Sequence, residues 1–311
     1  MEKPFVVVVL GPTASGKTSL GIEIAEKFDG EIVSADSMQI YENMDIATAK
    51  PTADELSRVR HHLIGFVPVG EKFSVAKYKE KATQVIDDIL SRGKLPVVVG
   101  GTGFYIDTLV KNTEFLDCEE SDIREKLEAR CEENGIETLY NELKDIDPKT
   151  ADRLHINDNK RIIRALEVYY STGKTISEQD EASHLNESKY RWCLIGLKAQ
   201  DRQYLYDRIN LRVDKMLEEG LIEETENFFE SEVSSTAAQA IGYKELKPYI
   251  DSLVTLEEAV EKLKMESRRY AKRQLTWFRR NTDIHWLDID TLTSEELIGK
   301  ACEIISNDNE R

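Results

Sequence analysis

The chain has 311 residues, 40% of them apolar and 32% charged, and a formal net charge of −17. That balance excludes a disordered or fibrous protein, and no apolar run approaches the roughly 20 residues of a membrane helix. The acidity also argues against indiscriminate nucleic-acid binding, because polyanions repel.

In chain order, "FVVVVL" (5–10) is a continuous apolar run suited to a strand buried on both faces. It runs straight from the N-terminus into a loop, so no signal peptide is expected and a cytoplasmic protein is. Leu20, Ile24 and Phe28 then share one helical stripe. "EIVSAD" reads as a second strand ending at Asp36. Ser74 is a good N-cap for an amphipathic helix that stops at Gly93. "LPVVVGG" is another buried strand. Strands alternating with helices of this length predict βαβ units and a parallel sheet.

From about 114 to 190 the sequence is charged and helical with no strand candidate, which predicts an all-helical insertion. The fold expected is α/β: a P-loop NTPase-like parallel sheet flanked by helices, formed by residues 1–113 and 191–311, with the insertion at 114–190. "YRWCLIGL" returns a strand. Helices around 201–218, 237–247 and 255–280, a short strand "DIHWLDI" and a closing helix complete the chain.

Charge is unevenly spread. Residues 114–147 hold thirteen Asp and Glu against four Lys and Arg, whereas "RRYAKRQLTWFRR" (268–280) has six basic residues and no acid. A clean basic stripe in an acidic chain calls for a partner. Cys118, Cys131, Cys193 and Cys302 form no C-x-x-C pair and read as reduced, buried or idle thiols.

The chemistry begins at "GPTASGKT" (11–18), which satisfies G-x-x-x-x-G-K-[ST] between a strand and a helix. The glycines let backbone amides wrap a phosphate, Lys17 adds a full charge, and Thr18 can hold Mg²⁺. Nucleotide hydrolases also carry an acid at the end of a second strand for the metal. Here that strand ends Gly100–Gly101–Thr102, and D-x-x-G and N-K-x-D are both absent. The nearest acid at a strand end is Asp36, which reads equally as a catalytic group and as a loop or capping aspartate. Thr102 can hydrogen-bond into the cleft. Arg208 and Arg212, four apart on one helix, can reach an anion together, or can be solvated surface arginines.

"GPTASGKT", "SADSMQIY", "GGTGFY", "RALEVY", "TGK", "IGYKE" and "KRQLTWFR", in this order, resemble the bacterial tRNA dimethylallyltransferase (isopentenyltransferase) family over nearly the whole chain. The resemblance implies transfer of a dimethylallyl group from dimethylallyl diphosphate to N6 of adenosine 37 in tRNAs reading codons that begin with U. The loop would then hold a diphosphate leaving group: Gly11, Pro12, Thr13, Ala14, Ser15, Gly16, Lys17 and Thr18 would bind it, with Arg212 clamping from the other side and Thr18 helping Mg²⁺. Asp36 matches the general base, and Thr102 a residue on the tRNA side; with Lys17 and Arg212 they make up the implied catalytic set. The family's tRNA-contacting segments fall on Asp36, Ser37, Met38 and Gln39, on Lys160, Arg161, Ile162, Ile163 and Arg164, and on Gln239, Ala240, Ile241, Gly242, Tyr243 and Lys244. Arg124 sits near a further contact position. In the basic run, Lys272 and Arg273 suit backbone phosphates, and Tyr270, Trp277 and Phe278 suit base stacking or the core. A monomer is expected.

Two other classes fit parts of the pattern. A small-molecule or nucleoside kinase shares the loop, a helical lid and arginine clamps. A P-loop nucleic-acid-binding module without catalysis would leave Asp36 beside Thr102 unexplained.

Overall fold

Four consecutive valines, Val6–Val9, are fully buried in β1 (Phe5–Leu10), which makes this strand the centre of a sheet. The computed structural model describes residues 3–115, 122–185 and 187–309; Cys118 lies outside them. The sheet also contains β2 (Gly30–Ser34), β3 (His61–His62), β4 (Leu95–Gly100), β5 (Arg191–Lys198) and β6 (His285–Asp288), in the order β3-β2-β4-β1-β5-β6. Every pairing is parallel, with Val7 opposite both Val97 and Cys193. All strand C-termini therefore open on one edge, where loops of such sheets bind ligands. The sheet and flanking helices are those expected from the apolar runs.

The helices of the first half are α1 (Lys17–Lys27), α2 (Ala53–Arg58), α3 (Val75–Ser91) and α4 (Gly103–Val110). Ser74 caps α3 by accepting from the Lys77 amide, and Gly93 follows it with a φ of 73°. α5 (Ile123–Asn134), α6 (Ile136–Ile146), α7 (Pro148–Arg153), α8 (Asn159–Thr172) and α9 (Ile176–Leu185) come next, with no strand among the described residues of this stretch. The chain divides into two compact units, Met1–Asp107 with Lys189–Arg311, and Thr108–Ser188. The helical unit has its own core, in which Leu139 and Leu143 are fully buried. Truncating either to Ala would remove about 2–5 kcal/mol of stability.

After β5 come α10 (Arg202–Glu218), α11 (Leu221–Glu230), α12 (Tyr243–Ile250), α13 (Leu256–Phe278) and α14 (Ser294–Asn309). T-x-x-E capping boxes start α2 at Thr52 and α13 at Thr255, and Thr293 pairs with Glu296 in the same way before α14. The single helix expected over 237–247 is instead a short 3-10 turn, Ala237–Gln239, followed by α12. Gly242 separates them with a φ of 118°, which no helix tolerates. β2 ends at Ser34, two residues before Asp36, so the aspartate stands on the loop and not on the strand.

Candidate active site

The loop from Gly11 to Thr18 joins β1 to α1. Ala14 (φ 62°) and Gly16 (φ 88°) both take left-handed backbone conformations and turn the chain tightly, as an anion-binding nest requires. The Pro12 carbonyl accepts from the Ser15 amide (3.3 Å) and from Lys17 Nζ (3.3 Å), so the ammonium is folded back over the loop. Ser15 is buried, and its hydroxyl has no hydrogen-bond partner among the described residues. Buried hydroxyls are normally partnered, so this one is an exception in the loop.

Both arginines of α10 reach the loop. Arg208 Nε donates to the Ala14 carbonyl (2.8 Å), and an Arg212 guanidinium nitrogen lies 3.4 Å from the Thr13 hydroxyl. Spacing on one helical face does bring them to a common target. Burial, with Arg212 alongside, pushes the Lys17 ammonium down to about 8, against the opposing pull of Asp36. Burial likewise works against the Arg212 charge, while Asp36 supports it. Cations held this close in a poorly solvated site have surplus positive potential, the condition for capturing a multiply charged anion.

Asp36 Oδ1 accepts from the backbone amides of Met38 (2.9 Å) and Gln39 (3.4 Å), forming an Asx turn. Its Oδ2 has no hydrogen bond within the protein among the described residues. The capping reading and the catalytic reading thus each fit one oxygen. Thr102 stands behind this turn: its hydroxyl accepts from the Ser37 amide (2.9 Å) and donates to the Ser37 hydroxyl (3.3 Å). It braces the Asp36 loop and does not line the cavity that Asp36 faces.

At the end of β4, the place of a metal-holding acid is closed. A Cβ on Gly100 would lie 2.2 Å from the Ala35 carbonyl oxygen, so only glycine fits there. Next to it sits Gln274 of α13, 5% exposed. Its Oε1 accepts from the Thr13 amide (2.9 Å) and its Nε2 donates to the Gly101 carbonyl (2.9 Å), tying the phosphate loop to β4. Nothing in the spacing of the basic run marked Gln274 out for this role.

A cavity of about 250 Å³ gathers half of the candidate residues. Thr13, Lys17, Thr18 and Arg212 line it together with Asp36–Gln39, Gln239–Gly242, Lys244 and Arg273. Ile209, Val213, Met216, Leu221 and Leu263 give it an apolar side. A wider, open cavity of about 970 Å³ adjoins the loop and shares Lys17, Thr18 and Arg212 with it.

Other candidate residues are placed differently. Ile162 and Ile163 are 0% and 6% exposed in the core of the helical unit, so α8 presents no isoleucine side chain to a ligand. The helical period sends them inward and Lys160, Arg161 and Arg164 outward. Arg161 pairs with Asp158 (2.7 Å), Arg164 with Glu167 (3.0 Å), and Arg124 with Glu128 (3.2 Å) and Glu167 (3.6 Å). Tyr243 is fully buried and hydrogen-bonded, which removes it from direct contact with a nucleic acid.

In the basic run, Phe278 is 2% exposed and belongs to the core. Trp277 donates to Asp107 (3.2 Å) and fills the space a Cβ on Gly103 would need. Both are therefore structural and not stacking platforms. Arg268 is engaged by Asn210 (2.6 Å) and Arg269 by Glu266 (2.6 Å), whereas Lys272, Arg273, Arg279 and Arg280 are exposed.

A phosphate-cradling loop at the open edge of an all-parallel sheet, without a metal-holding acid on β4, defines a P-loop-type fold whose loop serves something other than nucleotide hydrolysis. The IPP transferase family model matches residues 39–281, and the chain belongs to that family. It is 52% identical over 299 residues to the tRNA dimethylallyltransferase of Acetivibrio thermocellus, covering 95% of both chains. The crystal structure of the full-length tRNA isopentenylpyrophosphate transferase from Bacillus halodurans aligns with a TM-score of 0.73 at 41% identity over 99% of both chains. A eukaryotic dimethylallyltransferase acting on tRNA aligns with a TM-score of 0.84 at 32% identity, over 98% of this chain and 80% of that one.

Proposed function

We propose that this chain transfers the dimethylallyl group of dimethylallyl diphosphate to N6 of adenosine 37 in tRNAs reading codons that begin with U, releasing diphosphate. The observation that carries the reading is a cavity lined by both the Lys17–Thr18 cradle and Asp36, with an apolar side between α10 and α13 for the five-carbon chain.

The nitrogen attacks C1 of the donor, the C1–O bond breaks, and the diphosphate departs with the bonding pair. Lys17, Arg212 and the amides of the Gly11–Thr18 loop stabilise the charge that builds on the leaving oxygens. Such preorganised donors act most strongly in a dry cleft. An exocyclic amine is too weak an acid to be ionised beforehand, so Asp36 takes the N6 proton as or after the C–N bond forms. Thr102 and the Asx turn hold its carboxylate in place. A stacked anticodon base cannot enter such a cavity, so the adenine is extruded and held by the walls 36–39, 239–242 and Lys244.

A divalent cation fits the oxygen donors present. Among the described residues no cluster of three or more acidic, histidine or cysteine side chains would hold one unaided. Thr18 lines the cavity beside Lys17. Mg²⁺ takes few protein ligands and several phosphate oxygens or waters, so the Thr18 hydroxyl with the diphosphate and waters would suffice. Its contribution would be to neutralise leaving-group charge. The enzyme is read as a cytoplasmic monomer, and no described helix is long and apolar enough to cross a membrane.

The decisive experiment supplies labelled dimethylallyl diphosphate and unmodified tRNA, with ATP as control donor. Label on adenosine supports the reading, and a phosphorylated product from ATP overturns it.

Two further outcomes are expected. Replacing Lys272 and Arg273 together with Gln should weaken tRNA binding and reduce the slope of log K against log salt by about 1.5–2, the contribution of two phosphate contacts. An unchanged slope places the RNA elsewhere. Donor affinity should also fall as pH rises through about 8, where Lys17 of the free protein loses its proton. Binding a polyanion above that pH requires proton uptake, which costs up to about tenfold in Kd per pH unit. Calorimetry in buffers of different ionisation enthalpy reads the uptake, and Lys17→Ala should abolish it.

A further inference from the structure

Glu224 lies in the first turns of α11, outside every segment singled out by motif. Its Oε2 accepts from the backbone amides of Asp45 (2.9 Å) and Ile46 (2.7 Å), and its Oε1 from the Ala47 amide (2.9 Å) and the Tyr243 hydroxyl (2.8 Å). Three successive amides converging on one carboxylate form an anion nest filled from within the protein. Burial and the neighbouring Glu224 charge both raise the Tyr243 hydroxyl above its ordinary range, so it stays protonated and donates.

The two partners belong to adjoining segments that both reach the cavity. The segment from Asp45 to Ala49 supplies Ala47, Thr48 and Ala49 to its lining. Ala49 holds a left-handed φ of 48°, a conformation unfavourable for a non-glycine residue that persists only where its surroundings enforce it. Gln39 Nε2 donates to the carbonyls of Thr48 (3.2 Å) and Ala49 (3.0 Å), and the Gln39 amide belongs to the Asp36 turn. The other segment carries Tyr243 after Gly242, whose added Cβ would come within 3.1 Å of the Ala47 Cβ.

We propose that Glu224 is a positioning residue that fixes these two segments of the acceptor cavity against each other and acts on Asp36 through the Asp45–Ala49 segment and Gln39. The inference rests on the reading of Asp36 as the base. Four donors converge on Glu224, so both oxygens are needed as acceptors. Glu224→Gln keeps the size and turns one acceptor into an amide nitrogen facing N–H or O–H donors. The phosphate loop hydrogen-bonds to Gln274 and α10 and takes no part in this network, so donor binding should survive.

The test is steady-state kinetics of Glu224→Gln, at a temperature well below its measured Tm, beside Tyr243→Phe and Asp36→Asn. Glu224→Gln should lower kcat by about tenfold or more, the scale of a misplaced reactive group, with KM for the donor within about twofold. Tyr243→Phe, which loses one bond of four, should show a smaller loss of the same kind. A wild-type kcat in Glu224→Gln, or a loss confined to Tm, overturns the proposal. If Glu224→Gln does not fold, a wild-type kcat in Tyr243→Phe overturns it, and a selective kcat loss upholds it. Full activity in Asp36→Asn would instead sink the base assignment, an outcome separable from a normal Glu224→Gln beside an inactive Asp36→Asn.

Discussion

Replacing Asp36 with Asn is expected to lower kcat by about 10²–10⁴-fold, the range a general base contributes. Asparagine is the informative choice. Its side-chain carbonyl can still accept from the Met38 and Gln39 amides, which now bond Oδ1 at 2.9 and 3.4 Å, so the Asx turn survives and only the basic oxygen disappears. Alanine would remove the turn as well and confuse a lost base with a displaced loop. Binding of tRNA, measured by filter retention, should stay within about threefold of wild type, because a neutral amide adds no repulsion. A variant that turns over at the wild-type rate would leave Asp36 with its capping role alone.

Lys17→Ala and Arg212→Ala form the second case. Each removes a charge aimed at the departing diphosphate, and loss of one such donor costs about 10²–10³-fold in rate. The two should differ in kind. Lys17 is folded over the loop against the Pro12 carbonyl, so its loss should appear in both donor affinity and rate. Arg212 also contacts the Thr13 hydroxyl, so its removal releases a loop residue as well as a charge. Isothermal titration with a non-reactive donor analogue separates the terms, and unchanged affinity in both variants would show that the diphosphate is held elsewhere.

Much of this architecture was legible in the chain. Continuous valine runs can be satisfied only between two layers of helices, and β1 and β4 are where those runs lie. The glycine–lysine loop is local chemistry, written into eight consecutive residues. Other features depend on packing that spacing does not encode. α11 carries Leu221, Thr225 and Phe228 on a buried face, a period of three to four interrupted by a threonine, and it went unread. α2 carries a Thr52–Glu55 box in its sequence, but at six residues it is too short for an apolar period to show. Ile162 and Ile163 lie inside a segment that the resemblance implies as a whole, although the helical period alone turns them inward. Gln274 lies within a quoted motif, but its role there, like that of Glu224, follows from no local pattern. Their backbone partners lie 173 and 261 residues from Gln274 and 177–179 from Glu224, and an amide or carboxylate on a helix reads as surface until its neighbours are known.

The glutamine between the phosphate loop and β4 limits what the end of that strand can carry. A Cβ on Gly101 would come within 2.3 Å of Gln274 Nε2, so a side chain introduced there would have to displace that amide. Displacing or shortening Gln274 would strip the Thr13 amide of its acceptor and slacken the very loop that a new acid was meant to serve. A metal-holding carboxylate at this position would therefore come at the expense of an ordered phosphate loop.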